Sequence, residues 1–468
     1  MEKRRTIVSY RVIARMAALL VLAGCASIRS EPVNKPVSNV TAAATVGRDD
    51  PTHADDLLVG LSFSGGGTRA AAFSFGVLTE LDRTNAHNGQ ATVSLLDHLD
   101  FVSGVSGGSV IAAYYGLKKR AALEDFRESF LLRDAEESLD VRLNLMTASR
   151  ALAGGINDST QFPRWLDDNL FHGATLGEFR ETRRPRIWIN ASDIYNRTPF
   201  VFGATAFRAI CSDLDSYPVA NAVAASAAVP VIFAPVVIKT FPTTCDSKLP
   251  EWIERARRNP GAPPMLKAFA EGIARYHSGE MPYIKLLDGG LVDNFGISGF
   301  TIARLSSDTP YGPLTPHQAV ALRRVLFLVV DAGRGPSGDW VNTVEGPGGV
   351  DLVMAASDTA VDASVRAGFT AFESTNAEWQ AALVRWRCGL PTAERRGLGA
   401  PQNWNCRDLK FFVGRVNFDQ IGEERARKLN AVPTRFKLPA KDVDMLIAAG
   451  ADSLRVNNVY KAFLASLR

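Results

Sequence analysis

The sequence predicts an α/β fold, a central, mostly parallel sheet with helices on both faces. Three observations carry that prediction. From residue 57 onward, apolar strand-like runs alternate with segments of helical periodicity. Several of the runs are continuously apolar, as strands covered on both faces are. Glycine-rich turns fall where a strand hands over to a helix. With 468 residues, 46% of them hydrophobic and 22% charged, the chain is neither a disordered polymer, a collagen-like fibre nor a small disulfide scaffold.

The first strand is LLVGLSF at 57–63. The helix after it, 68–81, places Ala71, Phe75, Leu78 and Leu81 at steps of three and four. A short strand at 99–102 leads to a helix over 106–120. Residues 121–152 mix charged and apolar residues at helical spacing. IWINA at 187–191 is a strand, and the alanine-rich helix 219–228 stops before Pro230. Strands at 284–287 and 325–331 (VLFLVVD) complete the alternation. Residues 241–282 interrupt it with Cys245, Trp252, a basic run (Arg255, Arg257, Arg258) and Pro263-Pro264. They read as an inserted helical excursion, either a lid or a surface elaboration. A main unit over 57–340 and a C-terminal extension packed on it over 341–468 follow.

The N-terminus is organised differently. Lys3, Arg4, Arg5, Arg11 and Arg15 precede an apolar run at 16–24 that is too short for a membrane span. This fits a signal peptide over 1–24. Its end, Leu22-Ala23-Gly24-Cys25, resembles a bacterial lipobox, which implies lipidation of Cys25. Ala26, rather than Asp, favours the outer membrane by the same resemblance. Residues 26–56 lack periodicity and read as a flexible tether. Removing the leader removes the charge excess: the remainder carries 48 basic and 48 acidic residues, so no electrostatic case for nucleic acid remains. Cys211, Cys245, Cys388 and Cys406 have no zinc-like spacing. Outside the cytosol they favour disulfides, with 211–245 and 388–406 preferred by sequence order among three connectivities. Four free buried thiols are the alternative.

Three constellations carry chemistry. Ser64-Gly65-Gly66-Gly67-Thr68-Arg69 joins the first strand to its helix. Its glycines allow backbone N–H groups to converge beside a helix N-terminus, which suits an anion. No Gly-Lys-Ser/Thr follows, so it is not a P-loop, and Ala70 spoils a dinucleotide fingerprint. Gly104-Val105-Ser106-Gly107-Gly108 is a G-x-S-x-G elbow between strand and helix, with Gly104 and Gly108 relieving the crowding around Ser106. Asp288-Gly289-Gly290 follows a strand directly and presents a carboxylate from its end. Each alone is also compatible with a plain tight turn. None of the six histidines sits in a convincing context for a base; His277 is the best rival and His98 starts a strand. A Ser–Asp dyad therefore fits better than a triad. No metal or other cofactor is expected.

In this order, G-G-G-x-R, G-x-S-x-G and D-G-G resemble the patatin-like phospholipase family. Asn190-Ala-Ser-Asp-Ile194 and Ala225-Ser-Ala-Ala-Val-Pro-Val-Ile-Phe233 resemble further segments of it, over roughly residues 57–335. Val432-Pro-Thr-Arg-Phe436 looks like part of the extension of its lipoprotein members. The resemblance implies a three-layer α/β/α patatin-like fold, Ser106 as nucleophile and Asp288 as general base. It implies an oxyanion hole from Gly66, Gly67 and Thr68, with Arg69 assisting. The expected activity is hydrolysis of phospholipid or lysophospholipid esters through an acyl-enzyme, on a membrane lipid substrate. Ala70 departs from the family glycine and bears on loop geometry, tolerably so if its φ is helical. Asp293 is a weaker rival to Asp288. Transacylation, a non-catalytic envelope scaffold and a histidine-triad esterase are the competing functions.

Overall fold

The structure, a computed structural model, describes residues 30–37, 56–88, 91–137, 139, 150, 154–181, 184–246, 248–335 and 338–467. The leader 1–24, Cys25 and residues 38–55 lie outside the described residues.

Among the described residues ten strands form: β1 Leu57–Phe63, β2 Asn85–Asn88, β3 Ala91–Ser94, β4 Leu99–Val105, β5 Arg186–Asp193, β6 Thr198–Val201, β7 Val236–Lys239, β8 Tyr283–Asp288, β9 Arg324–Val330 and β10 Lys410–Val416. β2 and β3 make a separate hairpin. The helices used below are α1 Gly67–Arg83, α2 Gly107–Lys118, α3 Val219–Ser226, α4 Glu251–Arg258, α5 Pro264–Ser278, α6 Ser298–Ser306, α7 Gly349–Gly389 and α8 Ala440–Val456.

The eight-stranded sheet has β10, β9, β1, β4 and β5 side by side and parallel. The apolar run of β9 shows why both faces are covered. Leu326, Leu328 and Val330 enter one buried cluster with α1 and α8, and Val325, Phe327 and Val329 enter a second with α7. Successive side chains of a strand point to opposite faces, so an unbroken apolar run demands a helical layer on each.

The far end of the sheet is antiparallel: β6 and β8 both run against β5, and β7 runs against β8. The registers fix their arrangement. Asn190 pairs with Val105 of β4 and Val201 of β6, so those strands occupy opposite edges of β5. Ala191 pairs with Phe200 of β6 and Asp288 of β8, so β8 lies opposite β6. β4 and β8 therefore share one edge of β5 and meet there end to end, carboxyl terminus to carboxyl terminus.

The extension packs on the unit 57–340 and adds a strand to its sheet. β10 pairs along the whole of β9, and α8 crosses α1 at backbone contact. A Cβ on Gly76 would lie 2.0 Å from the Ile447 carbonyl oxygen, and one on Gly450 2.1 Å from that of Phe73. One expectation is corrected: residues 30–37, part of the expected tether, are held against the domain. Asn34 is buried, donates to Ser212 Oγ (3.0 Å) and the Lys239 carbonyl (2.8 Å), and accepts from the Lys239 N–H. A buried amide with these bonds satisfied holds its backbone in place, which composition alone does not reveal.

Both preferred disulfides form, Cys211–Cys245 and Cys388–Cys406. The insertion 241–282 folds as α4 and α5. Ile253, Leu266, Phe269, Ile273 and Tyr276 bind it to the main core, and it leaves the sheet at the end of β8 away from Asp288. That packing is of a surface elaboration and not of a lid. Among the described residues no helix is long and apolar enough to cross a membrane.

Candidate active site

The glycine loop turns as its composition requires. Gly66 has φ +140° and Gly67 φ +59°, conformations that a side chain would strain. α1 starts at Gly67, and Ala70 sits inside its first turn, its N–H donating to the Gly66 carbonyl. A helical alanine there replaces the family glycine without penalty.

Ser106 lies between β4 and α2 with φ +50° and ψ −123°. A non-glycine residue at such angles costs of order 1–3 kcal/mol and persists only where its surroundings impose it. They do. The Ser106 N–H donates to Ser226 Oγ (2.9 Å), whose hydroxyl donates to the Asn190 carbonyl (2.6 Å). Gly107 lies so close to the glycine loop that a Cβ would fall 1.9 Å from the Gly67 carbonyl oxygen. The elbow and the loop are thus in backbone contact.

Asp288 arrives from the other direction on β8. Val105 is level with Asn190, and Asp288 with Ala191, so Ser106 and Asp288 both stand at the junction of the two strands. A Cβ on Gly289 would meet Val105 Cγ1 at 3.0 Å, which shows how tightly the ends abut. α3 ties them together: the Asp288 N–H donates to the Ala228 carbonyl (2.8 Å) and the Gly289 N–H to that of Ser226 (3.0 Å). The carboxylate accepts the Gly290 N–H at 2.8 Å. Burial pushes its pKa up to about 6, against the opposing pull of that N–H and of the Ser106 side chain. Ser106 is 4% and Asp288 9% exposed, so the pair sits in a nearly dry site.

The donors of the loop sort themselves by their partners. The Gly65 N–H is taken by Asn294, through both its backbone and its side-chain oxygen (3.2 Å each). The Thr68 N–H is taken by the Arg435 carbonyl (2.8 Å). Thr68 therefore cannot supply the amide expected of it. The N–H groups of Gly66 and Gly67 have no partner among the described residues. Arg69 is also committed: Nε donates to the Ala332 carbonyl (2.9 Å) and Nη1 to that of Val432 (2.7 Å). It is 2% exposed, and both bonds run to backbone carbonyls.

The rivals to Asp288 take other places. Asp293 accepts the Ser298 N–H at 2.6 Å at the start of α6. Among the described residues no histidine hydrogen-bonds Ser106 or Asp288. No group of three or more metal-ligating side chains occurs among the described residues.

Asn294 escaped the sequence reading, and Ser226 and Arg435 entered it only as members of segments that resemble the family, with no role given to either. Ser226 is a buried hydroxyl in an alanine-rich helix, a discordance that could have flagged it. Asn294 and Arg435 bond to backbone N–H groups distant in sequence, so their partners have no local signal.

The mostly parallel sheet and its two helical layers make a three-layer α/β/α fold. A model of the patatin-like phospholipase family matches residues 61–301, a little over half the chain, and the chain belongs to that family. No curated protein sequence matches. Among solved structures, human GIVD cytosolic phospholipase A2 is similar, with a TM-score of 0.41 and 13% identity. That alignment covers 92% of this chain and 62% of that one, so this chain spans less than two thirds of its length.

Proposed function

We propose that the protein is a serine lipid acyl hydrolase that cleaves carboxylic esters of phospholipids or lysophospholipids through Ser106 and Asp288. The observation that supports this most is the end-to-end meeting of β4 and β8, which brings hydroxyl and carboxylate to one junction beside the Gly66 and Gly67 N–H groups, unpartnered among the described residues.

The chemistry follows from the arrangement. Asp288 takes the proton of Ser106 Oγ as that oxygen bonds to the acyl carbon. The carbonyl electrons move onto oxygen, and the N–H groups of Gly66 and Gly67 hold the charge. Each such donor is worth about 2.7–4 kcal/mol when aimed at it. The leaving alcohol takes the proton from Asp288 as its bond to carbon breaks. Water then gives its proton to Asp288, attacks the acyl-enzyme and releases the fatty acid, returning the proton to Ser106. A carboxylate whose pKa is near 6 suits both directions better than one near 4.

Incubating the full chain in mixed micelles with phosphatidylethanolamine or its lysolipid is expected to release free fatty acid. Accumulation of acyl-transfer products instead would make it a transacylase. A folded protein with neither product, and no fluorophosphonate adduct, would leave the scaffold function. We place the protein at the outer membrane through lipid on Cys25. Replacing Cys25 by serine is then expected to move it from the membrane to the soluble fraction; unchanged membrane association would refute the anchor.

A further inference from the structure

We infer that residues 432–436, in the C-terminal extension, are a positioning element for the oxyanion loop, latched by Glu136. This rests on the catalytic reading above and deepens it.

The glycine loop cannot hold its own shape. Consecutive positive-φ glycines have many accessible conformers, and a hydrogen bond weakens steeply once its donor swings off line. Something outside the loop must fix the directions of the Gly66 and Gly67 N–H groups. The structure supplies a tie on each side of them. On one side Asn294 takes the Gly65 N–H. On the other, the Arg435 carbonyl takes the Thr68 N–H. That carbonyl also presses on the loop, since a Cβ on Gly67 would lie 2.5 Å from its oxygen. One residue further on, the buried Arg69 guanidinium grips the Val432 carbonyl. Two successive loop residues are therefore held by one short segment more than 360 positions away.

That segment is held in turn. Glu136, 10% exposed at its side chain, accepts the Phe436 N–H (2.7 Å) and the Arg435 guanidinium (Nε at 3.1 Å). The Ala135 N–H donates to the Phe436 carbonyl (3.3 Å). The Phe436 ring packs on Phe162 with centroids 4.8 Å apart. Glu136 touches neither Ser106 nor Asp288 by any of these bonds. Its carboxylate acts on the reaction only through 432–436 and the loop.

The test uses the full chain and four proteins: wild type, Glu136→Ala, Glu136→Gln and Lys437→Ala. Lys437→Ala removes the neighbouring exposed pair with Asp134 but no tie to the loop. Glu136→Ala is expected to lower kcat at least tenfold with KM within twofold. Amide hydrogen exchange of a peptide covering 65–70 should accelerate about tenfold. Glu136→Gln keeps an acceptor for the Phe436 N–H and should recover most of both. Lys437→Ala should match wild type. Wild-type kcat and wild-type exchange in Glu136→Ala would overturn the inference. So would exchange that rises evenly across the chain, since that would be simple destabilisation. Should wild type show no Ser106-dependent turnover, the catalytic reading fails, and the exchange at 65–70 still decides whether Glu136 braces the loop.

Discussion

Ser106→Ala is expected to lower ester turnover by about four orders of magnitude and to leave the fold intact. The substitution keeps the Cβ and the N–H that donates to Ser226 Oγ, so the elbow loses no packing and no backbone bond. Alanine bears the φ of +50° at about the same cost as serine. What disappears is the nucleophile and its contact with the Asp288 carboxyl. The residual rate would come from the loop donors alone, about 10³–10⁴ over water in comparable serine enzymes. Initial rates on p-nitrophenyl esters, beside fluorophosphonate labelling, measure both losses. A variant that keeps a tenth of the activity, or still takes the label, would place the nucleophile elsewhere.

Asp288→Asn should abolish turnover and raise stability together. The carboxyl sits at about 6 in the folded chain, against 3.8 for the free group, because burial disfavours the anion. The folded state therefore binds its proton more tightly than the unfolded one. Between those two values stability falls as pH rises, and above pH 6 the full penalty is present. The difference corresponds to about 3 kcal/mol. Asparagine removes that penalty and can still accept the Gly290 N–H. At pH 7.5 the variant should melt several degrees above wild type, and by pH 4 the gap should close. Wild-type kcat/KM should rise with pH through about 6 and then level, since only the deprotonated form accepts the Ser106 proton. A pH-independent rate, or an active Asp288→Asn, would remove Asp288 as base. A stability gain with lost activity is the pattern of a strained functional group.

Much of this architecture is legible in the sequence because it is local. β1, β4 and β9 announce themselves by apolar content, and the three glycine turns by residue type at fixed spacing. What is illegible is relational. A six-residue strand such as β8 reads the same whichever way it runs, so its antiparallel course against β5, and hence the way Asp288 reaches Ser106, has no local signature. Thr68 illustrates the same limit. Its place at a helix start marks it as a donor, but the Arg435 carbonyl that claims its N–H lies far down the chain. Residues 30–37 look like a linker by composition. Their burial depends on Ser212 and Lys239, which no pattern around Asn34 could indicate.

The head-on meeting of β4 and β8 makes β5 a ruler for the reaction. Each strand advances about 3.3 Å per residue and alternates its side chains. One residue gained or lost in the paired part of either strand would change the gap between hydroxyl and carboxylate by that step and turn one of them to the opposite face. Drift in the lengths of the connecting loops would have no such effect. The spacing of the pair is thus set by two short stretches, the rungs on β5 from Phe101 to Val105 and from Leu286 to Asp288, where length itself is the constrained quantity.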